Sequence, residues 1–105
     1  MLGTWTVILE ADFVNESDVV GYRFYLGAVA QGPDVPQVSP PSNPQKTVIL
    51  ENVESTIPAV VFGVTAVDAT GLESLHTEKT VRLDADAPTA PGALRLVSAV
   101  FVPAG

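Results

Sequence analysis

The 105-residue chain has no cysteine, which excludes a disulfide framework and any thiolate metal site. It has a single histidine, His76, so an imidazole-based zinc site cannot be assembled. Five basic residues stand against twelve acidic ones, and the formal net charge of −7 argues against nucleic acid, whose phosphates would be repelled. Charged residues of both signs make up only 16% of the chain, where about 25% is usual. No apolar run reaches the ~18 residues that a membrane helix requires, so no membrane partner is expected. The N-terminus lacks the basic start and long apolar stretch of a secretory signal. A GxSxG elbow, a glycine-rich phosphate loop and an RGD tripeptide are all missing.

What the chain does have is apolar surface. Apolar residues make up 47% and the mean hydropathy is +0.32. Surface-to-volume scaling prevents one small domain from burying so much by itself, so part of it is expected to be covered by a partner.

Helical periodicity is nearly absent, and short β-branched runs separated by turn residues predict an all-β sandwich or barrel. In "TWTVILEADF", Trp5, Val7, Leu9, Ala11 and Phe13 share one face. In "VGYRFYLG", Tyr22, Phe24 and Leu26 point one way, Arg23 and Tyr25 the other. Val48 and Leu50, then Val60, Phe62, Val64 and Ala66, then Val81 and Leu83, supply further inward positions. Between the second and third runs, "QGPDVPQVSPPSNPQ" holds five of the nine prolines and cannot be a central strand. It reads as an extended edge segment; the PxxP spacing of Pro33 and Pro36 fits an SH3-type ligand less well than a stiff protecting edge. "DATGLES" reads as a turn.

Chemistry is sparse. Asp68, Glu73, Asp84 and Asp86 could approach one another near loops, yet without EF-hand spacing they read as solvated turn acids. Ser74 and His76 lie two apart with no third orienting group. No cofactor, metal or catalytic role is expected.

"VGYRFYLG" together with "VTAVDATGLES" resembles the fibronectin type III family, in its prokaryotic and phage branch, over Trp5 to Leu83. The resemblance implies an immunoglobulin-like antiparallel β-sandwich, with strands B (5–13), C (20–27), C′, E (46–53), F (59–68) and G (75–83) in residues 1–86. The tryptophan usual late in strand B is replaced by Ala11, and the tyrosine near the start of F falls on Val60. Strand B begins almost at Met1, so strand A has no room before it. Instead "APTAPGALRLVSAV", Ala87 to Val100, has the character of an A strand with its proline-rich lead. Residues 87–105 are therefore read as a proline-led linker and an A-like arm.

Three arrangements are open for that arm. It fills its own A position, enters that of a neighbouring copy, or stays unpaired. Leu94, Leu96, Val100 and Val102 are expected on one face, with Ser98 between them, and burying them is worth roughly 6–10 kcal/mol gross. Prolines stiffen the linker, which favours exchange between subunits. Tyr25, Val61 and Val67 are expected to form an outward apolar patch, so the candidate interface comprises Tyr25, Val61, Val67, Leu94, Leu96, Val100 and Val102.

The expected role is that of a non-catalytic structural module. A small cysteine-free domain starting at strand B suggests a whole gene for a multicopy bacteriophage virion component, a decoration, neck or tail protein binding copies of itself and other virion proteins. The alternative is a spacer or carbohydrate-binding module from a secreted bacterial enzyme or adhesin.

Overall fold

A computed structural model describes residues 2–84 and 94–104. The linker expected over Asp84 to Pro91 lies outside the described residues beyond Asp84, as do the 86/87 boundary and Asp86. The described chain is all-β: β1 (Leu2–Ala11), β2 (Val19–Leu26), β3 (Val29–Ala30), β4 (Val35–Pro36), β5 (Gln45–Glu54), β6 (Ile57–Asp68), β7 (Thr77–Leu83) and β8 (Leu94–Pro103). They form two antiparallel sheets, one of three strands in the order β5-β1-β8 and one of five, β3-β2-β6-β7 with β4 also on β2. This is a β-sandwich.

Alternation in β1 produces the sharpest inner face. Trp5, Val7, Leu9 and Ala11 are buried, and Thr4, Thr6, Ile8 and Glu10 are half-covered on the opposite side. Phe13 departs from its expected place: β1 ends at Ala11, and Phe13 lies exposed beyond it. Across the sandwich, Tyr22 and Phe24 of β2, Phe62 and Val64 of β6 and Leu83 of β7 close the core. β7 begins at Thr77, two residues later than expected, which leaves Leu75 in solvent.

The polar ends of the large core side chains are satisfied. The Trp5 indole N–H donates to the Glu54 carbonyl at 3.0 Å. Tyr22 Oη accepts the Val14 N–H at 2.7 Å and donates to Gln37 Oε1 at 2.9 Å, and Gln37 Nε2 donates to the Val14 carbonyl. That ring of bonds joins the β1–β2 loop to the proline-rich segment. The chain just before the segment pairs with the outer edge of β2 at Leu26↔Val29 and Tyr25↔Ala30, and the segment itself continues along that edge at Tyr22↔Val35 and Gly21↔Pro36. Proline is tolerated there because no further strand needs its missing donor.

β8 pairs with β1 of its own chain, from Ala11↔Leu94 to Gly3↔Pro103, the folded-back arrangement of the three. Its inward side chains are not the expected set. A β-bulge lies where Leu9 pairs with Leu96 and Ile8 with Ser98, which makes Val97 the extra residue. One extra residue reverses the alternation. Leu94 and Leu96 therefore face the core, Ala99 and Phe101 take over beyond the bulge, and Val100 and Val102 turn outward. Phe101 meets Trp5 with ring centroids 5.5 Å apart and planes tilted by 53°, a favourable aromatic geometry. Leu83 and Leu94 lie at opposite ends of the sandwich, because β7 finishes beside Ile57 and β8 starts beside Ala11.

The β1–β8 seam is close enough to be tested at Gly3. A Cβ there would fall 2.3 Å from the Val102 carbonyl oxygen and 2.9 Å from Pro103 Cα, both backbone atoms. Gly3→Ala is expected to cost about 1–3 kcal/mol through overpacking, read as a lower urea midpoint together with faster amide exchange at Phe101, Val102 and Ala104. Leu94→Ala, which opens a cavity under a fully covered position, is expected to cost about 2–5 kcal/mol in the same measurement.

Candidate interaction surface

The two sheets present very different outer faces. On the five-stranded sheet, register sets Tyr25 beside Gly63, and Arg23 beside Thr65. Gly63 has no side chain, and the Tyr25 ring and His76 occupy the space above it. The Tyr25 Cβ and His76 Nδ1 each lie 3.6 Å from where a Cβ would be. The rings of Tyr25 and His76 are 4.4 Å apart.

The chain after β6 then folds over this face. Asp68 fixes the turn by accepting the Thr70 N–H, the Thr70 hydroxyl and the Leu72 N–H, and Gly71 supplies the positive φ of 89°. Val67 bridges to Glu73, which sets the Glu73 carboxylate over the sheet. Glu73 accepts hydrogen bonds from the Tyr25 hydroxyl and, at 2.8 Å, from the Thr65 hydroxyl, and its second oxygen lies 3.1 Å from Arg23 Nη1. Arg23 also grips Asp34 in a bidentate pair, Nε at 2.8 Å and Nη2 at 2.9 Å.

These contacts account for the electrostatics. The Tyr25 and Thr65 hydroxyls, with Arg23 behind them, hold the Glu73 carboxyl below the ordinary glutamate value. Arg23 does the same for Asp34, and the turn donors, led by the Thr70 hydroxyl, for Asp68. Tyr25 is pushed up, first by its bond to the Glu73 carboxylate and then by burial.

The apolar patch expected of Tyr25, Val61 and Val67 is therefore corrected. Val67 is 4% exposed and Tyr25 8%, both covered because the β6–β7 connection folds back, while Val61 alone stays open at 36%. The arm residues divide in the same way: Leu94 and Leu96 belong to the core side, and Val100 and Val102 are exposed. The acids considered for calcium go to separate partners, Asp68 to its turn, Glu73 to the sheet network and Asp84 to Arg82. Among the described residues no group of three or more His, Asp or Glu side chains could hold a metal ion. Ser74 Oγ accepts the Ala66 N–H and donates to the Leu75 carbonyl, and His76 lies on Tyr25.

The outer face of the three-stranded sheet is open. Ile49, Thr6 and Val100 lie side by side across it, flanked by the row Thr47, Ile8, Ser98 and by Thr4 beside Val102. Ile49, Val100 and Val102 are each more than half exposed. Among the described residues, charge on this face lies at the margins of the band: Glu51, exposed on the edge strand β5 two residues beyond Ile49, and Glu10, Asp12 and Arg95 at the other end. Glu10 accepts from Gln45 at 3.0 Å and from Arg95 at 2.7 Å, and Arg95 reaches Asp12 at 2.8 Å. Gln45 first, and then Arg95, hold the Glu10 carboxyl below its ordinary value. Sequence reasoning missed Ile49 and the outward turn of Val100 and Val102, since Ile49 is adjacent to the core pair Val48 and Leu50, and a bulge has no side-chain signature here.

Comparisons with family models, with curated proteins and with solved structures produced no match to this chain. The geometry defines a class, a two-sheet β-sandwich with one outer face closed by ion pairs and the other apolar and open.

Acid titration tests the carboxylate networks of both sheets. Glu10, Asp34, Asp68 and Glu73 are all held below their ordinary values of 4.5 for Glu and 3.8 for Asp. Lowered folded values mean that the unfolded chain takes up protons first, so the stabilisation is present above the ordinary values and lost as pH falls through the folded ones. The melting temperature is expected to be level from pH 7 to about 5 and to fall below that. Glu73→Gln should lower the melting temperature at pH 7 and flatten the acid limb; an unchanged limb would remove Glu73 from this account.

Proposed function

We infer that the protein is a non-catalytic structural module that works in many copies, its most fitting setting being a bacteriophage particle as a decoration, neck or tail component. In this reading the sandwich is a fibronectin type III-like domain whose A strand is supplied by β8 from the end of the chain. The observation that carries the reading is the outer face of the β5-β1-β8 sheet. Ile49, Val97, Val100 and Val102 lie exposed on or beside a band with no charged side chain at its centre. An apolar sheet face of this kind is held in water at a cost and is stabilised by contact with another protein surface. The low charged content of the whole chain points the same way.

The alternative, a spacer or carbohydrate-binding module of a secreted enzyme, has less support. Glycan stacking needs open aromatic faces, and Trp5, Tyr22 and Tyr25 are all buried.

Sedimentation of the purified chain over a range of concentrations tests the reading. A mass above the 11.0 kDa of one chain, rising with concentration, is the expected outcome. A chain that stays monomeric throughout and is retained by insoluble polysaccharide would favour the accessory module instead.

A further inference from the structure

The free edges of the two sheets are not alike. On the five-stranded sheet, β3 and β4 are two residues each and are interrupted by Pro33, Pro36 and a positive-φ glycine at Gly32. The opposite edge, β7, carries Glu78, Lys79 and Arg82 among its seven residues. On the three-stranded sheet, β5 carries Lys46, Glu51 and Glu54 and is broken by Asn52 at φ 57°. Short strands, prolines, charges and irregular backbone are the means by which edges avoid pairing with other chains.

β8 has little of this. It is ten residues long, and after Arg95 the run Leu96–Val102 contains no charge, no proline and no glycine. Its one irregularity is the bulge at Val97, near the start of that run. One side of β8 is bonded to β1, and among the described residues no strand pairs with the other. A long strand edge offers a row of backbone N–H and C=O groups, and the chemistry that satisfies such a row is another strand.

We propose that this partner is a second copy of the chain. Two β8 strands join antiparallel about a two-fold axis, making one continuous sheet of six strands, β5-β1-β8 against β8-β1-β5. The proposal rests on the multicopy reading above and names the surface through which copies meet. Self-pairing fits the charge distribution. Each chain carries −7, so two copies repel over most of their surface, and the neutral run of β8 is where they approach with least opposition. It also fits the symmetry, since an antiparallel edge is complementary to itself. With the axis perpendicular to the sheet, one residue of the run faces its own counterpart, because paired residues of an antiparallel ladder point to the same side. The two exposed bands then merge into one wider apolar surface.

The test uses the full chain. Val100 is 56% exposed, so Val100→Lys leaves the core intact, which an unchanged circular dichroism spectrum verifies. It sets like charges near one another across the axis. The control is Thr6→Lys, on the same outer face but on the central strand β1, which obstructs stacking of faces and leaves the β8 edge untouched. The expected result is a dimer of twice 11.0 kDa for the wild type and Thr6→Lys, and loss of the dimer for Val100→Lys. Because the chain has no cysteine, single cysteines placed in turn at residues 98–102 and at Ile49 give a second readout. Opposed Cα atoms in such a pair lie about 4.5–5.5 Å apart, within disulfide reach. One position in 98–102 is expected to cross-link, and Ile49→Cys is not. A dimer that survives Val100→Lys, is lost with Thr6→Lys, or cross-links only through Ile49→Cys overturns the edge pairing and leaves the multicopy reading standing. A wild type that is monomeric at every concentration overturns both.

Discussion

The sandwich depends on β1 having a strand on each side. Its inner face carries Trp5, Val7, Leu9 and Ala11, the deepest continuous row of side chains in the molecule. A strand with that face buried cannot leave its backbone donors and acceptors unmatched, because an unpaired buried amide costs about as much as a lost hydrogen bond. β5 satisfies one edge and β8 the other. The last strand of the chain is thus a structural necessity of the first: without it, β1 would present an open edge, and Trp5 would lose Phe101 from above its ring. The ends of the described chain meet as a result, with the Ala104 N–H donating to the Leu2 carbonyl at 3.0 Å.

A second theme is how few charges do the ordering of the surface. Arg23 holds both Asp34 and Glu73, and Arg95 holds both Glu10 and Asp12. Individually such exposed pairs contribute little to stability. Their effect is on shape. Arg23 and Glu73 fasten the β6–β7 connection over one sheet, which covers Val67 and Tyr25. Arg95 and Glu10 mark the limit of the apolar band on the other. A chain with only five basic residues closes one face and leaves the opposite one greasy.

Strand identity and facing were legible wherever alternation ran unbroken. Trp5 to Ala11, Tyr22 with Phe24, and Val60 to Ala66 fall where the period of two places them. Reading failed where a local event interrupted that period. Val97 adds one residue to β8 and moves Val100 and Val102 to the outside, while Phe101, unnoticed in the sequence, becomes the partner of Trp5. Phe13 lies past the end of its strand for the simpler reason that β1 stops at Ala11. Val67 and Tyr25 are outward-facing as expected, yet covered, because outward and exposed are different properties when a connection folds back over a sheet.

The sequence by itself determined the all-β character, the inner face of each regular strand, the edge position of the proline-rich segment and an excess of apolar surface. All of these follow from side-chain chemistry at a fixed short period. Only the tertiary structure decided which apolar residues remain in contact with water. That depends on a one-residue bulge, on a bridge between Val67 and Glu73, and on the pairing of residues from opposite ends of the chain such as Ala11↔Leu94 and Gly3↔Pro103. Such long-range pairings are selected by the energy of the whole assembled core, and no stretch of local sequence carries that information.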